Sequence, residues 1–215
     1  MPDLDRLRAN LEGVRGRIAA ACARAKRDPA AVTLIVVTKS VPKELISRLA
    51  ELGVKDIGEN RPVEGLDRVG PLAGFRRHMI GHLQTNKLGK ALQWADVIHS
   101  VDRASLLREL AKSNKRLPVF VQINVSGEAS KGGYRPEEAA AAVAEAKRSL
   151  EVLGLMTMAP EGEDARPHFR GLRELAGRCG LPGLSMGMSQ DYEVAVEEGA
   201  THVRVGTAIF QGVQV

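Results

Sequence analysis

Apolar residues change their spacing along this chain in a regular way. At the amino end Leu4, Leu7, Leu11, Val14, Ile18 and Cys22 recur three or four residues apart. That spacing predicts one apolar face of a long helix over residues 4–25, with Asp3 as its N-cap. Short β-branched runs then alternate with helical stretches. The run at 32–38 is the most continuous, as expected for a parallel strand covered on both faces. Seven further strands are predicted at 54–58, 77–81, 97–100, 119–125, 152–156, 183–186 and 202–206. Helices are predicted between them at 43–52, 85–94, 103–114, 136–148, 167–179 and 189–198.

Alternating strands and helices imply a parallel sheet with right-handed crossovers. Eight repeats in this length match an α/β fold, a single (β/α)8 TIM barrel, with the N-terminal helix as an extra element beside the last strand. An open doubly wound sheet satisfies the same periodicity and stands as the alternative. No linker or low-complexity segment divides the chain, so residues 1–215 are expected to form one domain. The glycine-rich stretch from Gly127 to Gly133 reads as a long loop at the working face.

Composition narrows the class. The 215 residues are 44% apolar and 27% charged, the balance of an ordinary water-soluble fold. No apolar stretch reaches membrane-spanning length, and the start lacks the layout of a secretory signal. The only two cysteines, Cys22 and Cys179, are far apart and read as reduced, buried thiols of a cytoplasmic protein. Net charge is +5, but the basic residues are interleaved with acids and aromatic content is 3%. Stacking platforms for single strands are scarce, so neither nucleic acid nor membrane is expected as a partner.

The chemistry gathers at the predicted strand ends. Lys39 closes the most apolar run, at the carboxyl end of a barrel strand. An amine there is a nucleophile for Schiff-base formation with an aldehyde, or else a lysine snorkelling to solvent. On the same rim the pattern places Glu59, Asn60, Gly81, His82, His99, Ser100, Asn124, Met156, Thr157, Ser185 and Met186. Ser189 precedes the helix that runs to Gly199, a good C′ residue, and Gly206 with Thr207 follows the last strand. These are the loops where barrels commonly bind phosphate, through close backbone approach and free N–H groups. Ser189 alone reads as an N-cap; its pairing with Gly206 and Thr207 favours an anion site. Arg204 alternates with Val203 and Val205, so it faces the barrel interior and needs an acceptor or an anion. An aldehyde, a phosphate and an acceptor occur together in pyridoxal 5′-phosphate.

The ordered motifs resemble the pyridoxal phosphate homeostasis proteins, relatives of the alanine racemase N-terminal barrel. They are Val37-Thr-Lys-Ser40, Ile57-Gly-Glu-Asn60, His78-Met-Ile-Gly-His-Leu-Gln-Thr-Asn-Lys87 and Ile98-His-Ser-Val-Asp102. Gln122 to Lys131, Gly154 to Met158, Leu184 to Ser189 and Val203 to Phe210 continue the series. The resemblance implies that Lys39 carries pyridoxal 5′-phosphate as a Schiff base. It also implies that Ser189, Gly206 and Thr207 hold the phosphate, that Arg204 meets the pyridine nitrogen, and that Asn60 lies near the ring. Three positions depart from the family pattern: Arg77 in place of tryptophan, Arg61 in place of tyrosine, and Gln211 within the usual Ile-Phe-Gly ending.

The resemblance implies a binding, buffering or delivery protein, expected to be a monomer, with apo-enzymes that use pyridoxal 5′-phosphate as the recipients of delivery. An arginine cannot supply the proton that makes the ring a strong electron sink. The racemase relatives take their second acid/base from a C-terminal domain that is not expected here; His82, His99 and Tyr134 are the substitutes in view. Two other readings stay open. One is a cofactor-dependent amino-acid racemase. The other is an aldolase using Lys39 without cofactor. Lys131, in the glycine-flanked loop, is a candidate for a second aldehyde site.

Overall fold

The computed structural model describes residues 2–128 and 131–213. Eight parallel strands close into a barrel in sequence order: β1 (Thr33–Val37), β2 (Asp56–Glu59), β3 (Arg76–Met79), β4 (Val97–Val101), β5 (Val119–Gln122), β6 (Val152–Met156), β7 (Gly183–Ser185) and β8 (His202–Val205). Closure is made where β8 pairs with β1, Leu34 opposite Val203 and Ile35 opposite Arg204. The open-sheet alternative is thereby removed.

Helix α1 (Pro2–Arg24) lies against α8 (Tyr192–Glu197) and α9 (Thr207–Phe210), beside the last strand as expected. Its stripe of Leu7, Leu11, Val14, Ile18 and Cys22 is buried. Asn10 donates through Nδ2 to the carbonyls of Ile209 and Gln211 at 2.9 and 3.0 Å, tying α9 to α1. The helix already includes Pro2, so Asp3 lies inside its first turn; the Asp3 side chain is outside the described residues. Cys22 is buried, whereas Cys179 is only half-buried. Among the described residues no helix is long and apolar enough to cross a membrane.

The remaining helices are α2 (Lys43–Arg48), α3 (Pro62–Arg68), α4 (Leu88–Ala91), α5 (Ala104–Lys112), α6 (Ala139–Lys147) and α7 (Ala165–Arg178). Several are shorter than their periodicity suggests, because 3-10 turns take up the ends, as at Leu49–Leu52 and Thr85–Lys87. Helix α3 has no counterpart among the predicted helices. Its seven residues begin on Pro62 and contain Gly65, which weakens any helical pattern. Packing supplies what propensity lacks. A side chain at position 65 would come within 2.5 Å of the Trp94 ring, so glycine admits the indole, whose Nε1 donates to the Pro62 carbonyl at 2.8 Å.

Trp94 is fully buried. Its replacement by alanine removes both the packing and the bond that anchor α3, and is expected to lower stability by about 3–5 kcal/mol. Urea unfolding measures this, and a loss below about 1 kcal/mol would contradict the packing described.

The barrel interior is unusually polar. His78, His99 and Ser185 are fully buried there and Arg204 nearly so, beside Val97, Phe120 and Met156. His99 stacks on Phe120 with centroids 4.5 Å apart, and His202 meets the same ring edge-on at 5.0 Å. Strand alternation explains the grouping: His202 and Arg204 are two apart and share the inward face, while Val203 and Val205 face the helices.

Candidate functional site

At the carboxyl ends of the strands lies a cavity of about 630 Å³. Its lining includes Lys39, Asn60, Ser189, Arg204, Gly206 and Thr207, all six positions singled out above. Lys39 is the one lysine among the lining residues.

Lys39 follows β1 by two residues, and its side chain is exposed at the cavity mouth rather than partly buried in the strand. The turn carrying it is held from behind. Arg68, the last residue of α3, donates Nη1 to the Lys39 carbonyl at 2.7 Å and Nη2 to the carbonyls of Thr38 and Val41. Thr38 donates its hydroxyl to Glu59 Oε1 at 2.7 Å, and Arg68 lies 3.7 Å from the same oxygen. Burial pushes the Glu59 carboxyl above its ordinary range. Three backbone carbonyls and one carboxylate thus converge on a single guanidinium, which fixes the backbone while leaving the amine of Lys39 free to face the cavity.

Asn60 is half-buried just after β2, and its Oδ1 is buried without a hydrogen-bond partner. The neighbouring strand end crowds its backbone: a side chain at Gly81 would come within 2.1 Å of the Asn60 carbonyl, so only glycine fits there. Ser189 is not the N-cap of α8. That helix starts at Tyr192, and the cap position is Asp191, whose Oδ1 accepts from the Met188 N–H at 2.6 Å. The freed Ser189 hydroxyl instead accepts the N–H of Gly206 at 3.3 Å, so the loops after β7 and β8 meet at this point. Gly199 follows α8 with φ of +101°, the left-handed C′ geometry expected of it.

Arg204 donates Nη1 to Ser185 Oγ at 2.7 Å and Nη2 to the Thr157 carbonyl at 2.9 Å. No carboxylate is within ion-pairing distance of it among the described residues; Asp191 acts only at longer range. Burial lowers its pKa to about 10, which leaves it charged at neutral pH. A buried donor-only cation on a cavity wall calls for an acceptor in that cavity. The orphaned Asn60 oxygen likewise lacks a partner. The residues present therefore suit a ligand carrying an aldehyde, an anion and a ring acceptor.

Several rim assignments change. His99 and Ser100 lie within β4, fully buried, rather than beyond it. His82 is exposed and paired through Nδ1 with Asp102 at 2.8 Å, and the Tyr134 hydroxyl is buried, with a pKa raised to about 12 by desolvation. None of these four residues lines the cavity. Lys131 donates Nζ to the Ala159 carbonyl at 3.0 Å and pairs with Glu128 at 3.1 Å, so it has partners of its own. Residues 129 and 130 of its loop lie outside the described residues.

The family departures also find structural places. Arg77 grips Asp96 through Nε and Nη2 at 2.9 and 3.0 Å, Arg61 pairs with Glu64 at 3.4 Å, and the Gln211 carbonyl receives Asn10. The fully buried His78 and the half-buried His202 were given no role in the sequence, although the alternation that turned Arg204 inward turns His202 inward too. Among the described residues no group of three such side chains is placed to hold a metal ion.

Comparison with known proteins agrees with this architecture. The family model for the alanine racemase N-terminal domain matches residues 3–213. The chain is 42% identical to the pyridoxal phosphate homeostasis protein of Aquifex aeolicus, covering 93% of this chain and 95% of that one. It is 39% identical to the protein of that name from Escherichia coli, with 94% of each chain covered. Among solved structures, PipY of Synechococcus elongatus with pyridoxal phosphate bound superposes with a TM-score of 0.74 at 31% identity, covering 92% of this chain and 99% of that one. The alanine racemase of Corynebacterium glutamicum shares the fold at a TM-score of 0.72 and 14% identity, and 64% of that chain is covered. This chain belongs to the alanine racemase N-terminal domain family, among the pyridoxal phosphate homeostasis proteins.

Proposed function

We propose that this chain, as one domain over residues 1–215, binds pyridoxal 5′-phosphate and serves intracellular cofactor homeostasis by buffering or delivering it. The observation that carries the reading is one cavity lined, among the described residues, by a single lysine, by a buried arginine without a carboxylate partner, and by the Ser189–Gly206 junction of two loops. Lys39 holds the aldehyde carbon as a Schiff base, formed with loss of one water. Ser189, Gly206 and Thr207 take the phosphate, Arg204 donates to the ring nitrogen, and Asn60 lies beside the ring. The family membership and the cofactor bound to PipY support the same assignment.

Bound pyridoxal phosphate supplies an electron sink, and the residues around it weaken that sink. Arg204 keeps its own proton, so the ring nitrogen stays unprotonated and carbanions gain little stabilisation. Racemisation also needs a second acid/base at the substrate; His82 and His99 are bonded elsewhere, and the Tyr134 hydroxyl is buried away from the cavity. The carrier reading therefore stands ahead of the racemase-like one. We propose in addition that the protein is a cytoplasmic monomer and that apo-enzymes are its recipients.

Titration of the purified protein with pyridoxal 5′-phosphate tests the reading. A yellow band at one equivalent, fixed by borohydride on the peptide containing Lys39, with no racemisation across a panel of amino acids, is the expected result. Turnover of any amino acid would restore the racemase reading. A colourless protein trapped only in the presence of a carbonyl substrate would favour the aldolase.

A further inference from the structure

The partners of Arg204 do not end at Ser185. Ser185 Oγ lies 2.8 Å from His99 Nδ1, His99 Nε2 lies 2.8 Å from His78 Nδ1, and His78 Nε2 lies 3.0 Å from Asp56 Oδ1. Asp56 opens β2 at the amino end of the barrel and lines a separate cavity of about 340 Å³ there with Thr33 and Lys55. An unbroken file of contacts therefore crosses the barrel from one face to the other, through a core where His78, His99 and Ser185 are fully buried.

The two ends dictate the direction of every bond in the file. A guanidinium has donors and no acceptor, so Arg204 Nη1 donates to Ser185 Oγ. The Ser185 hydroxyl proton then turns to His99 Nδ1. His99 must carry its proton on Nε2, which donates to His78 Nδ1. His78 in turn carries its proton on Nε2 and donates to Asp56, whose carboxylate accepts. Each interior member gives one bond and receives one, and both imidazoles are neutral Nε2–H tautomers. Reversing the direction from the Asp56 end would leave the Ser185 hydroxyl receiving from both Arg204 and His99, its own proton without a place in the file. Desolvation lowers the pKa of both His78 and His99, in keeping with their neutral state, against the pull of Asp56 on His78. The charged groups facing the file are Asp56, Arg76 and Asp96 near His78, and Arg204 and Arg76 near His99.

We infer that Ser185, His99, His78 and Asp56 are positioning residues, a one-directional hydrogen-bond chain that holds the Arg204 guanidinium facing the cofactor ring. The inference rests on the cofactor reading above. An isolated arginine of this length has several rotamers and would leave a buried donor unpaired in most of them. Held at Nη1 and Nη2, it presents its remaining N–H edge in one orientation. The chain also makes Asp56, at the opposite end of the barrel, a determinant of cofactor binding.

The decisive measurement pairs ring ¹⁵N NMR of the wild-type protein with cofactor titrations of Ser185→Ala, Asp56→Ala and Asp56→Asn. The spectrum is expected to show His78 and His99 as neutral Nε2–H tautomers. A charged ring or an Nδ1–H tautomer at either position overturns the chain, with or without cofactor and without need of any variant. Ser185→Ala and Asp56→Ala are expected to weaken pyridoxal 5′-phosphate binding on the order of tenfold, the scale at which outer partners act on a held group. They are also expected to shift the pH titration of its visible band. Asp56→Asn keeps an acceptor for His78 and is expected to restore binding to within about threefold of wild type. Wild-type affinity and an unchanged band titration in a folded Asp56→Ala protein would overturn the positioning role. A wild-type protein that shows no band at all would instead remove the cofactor reading and leave the tautomer result standing.

Discussion

Lys39→Ala is expected to lose the yellow band and all covalent retention of pyridoxal 5′-phosphate while folding as the wild type does. The side chain is exposed, and the turn is held through the Lys39 backbone carbonyl by Arg68, an interaction that alanine preserves. A surface change of this kind moves stability by about 0.5 kcal/mol or less. The chemical loss is total, because no other lysine lines the cavity among the described residues. Lys131 does not compensate, since its amine is held by the Ala159 carbonyl and Glu128. Gel filtration of the loaded protein, followed by borohydride reduction and mass measurement, reads both parts. Colour retained in the variant, or a second modified lysine, would move the anchor away from Lys39.

Acid is expected to destabilise the protein through its buried histidines. Burial lowers the His202 pKa to about 4, and those of His78 and His99 are lowered by the same cause. A histidine whose pKa is depressed in the fold is protonated first in the unfolded chain. Its contribution is therefore present above the unfolded value, about 6.5, and is lost as pH falls through the folded value near 4. His202 alone accounts for about 2 kcal/mol lost between roughly pH 7 and pH 4.5. Glu59 and Asp191, raised by burial, act with the opposite sign and gain stability as they protonate at lower pH. Urea unfolding at several pH values measures the slope, and His202→Gln is expected to flatten it. A stability independent of pH over this window would show that the barrel interior admits protonated imidazole.

The barrel and its site differ in how legible they are. Strand 32–38 could be read directly, since a buried parallel strand leaves a continuous β-branched run, and β1 was found at Thr33–Val37. Helix α3 could not be read. Seven residues with Pro62 and Gly65 carry no helical signal, and the helix exists because Trp94 packs into the gap that Gly65 leaves. Ser189 was paired with Gly206 and Thr207 from the sequence, but the bond that joins them was not: only the fold brings the Gly206 N–H, seventeen residues away on another strand-end loop, to the Ser189 hydroxyl.

Alone, the sequence determined the eightfold alternation, the inward face of Arg204 and the six candidate ligand positions, because each follows from local periodicity or from family motifs. Only the tertiary structure decided which rim residues reach the cavity. His99 turned inward within β4, His82 turned to Asp102, and Arg68 came from α3 to hold the turn at Lys39. The file from Asp56 through His78, His99 and Ser185 to Arg204 joins five residues from five different strands. Barrel closure brings those strands together, and hydrogen bonds between groups so far apart in the chain leave no periodic trace in the order of residues.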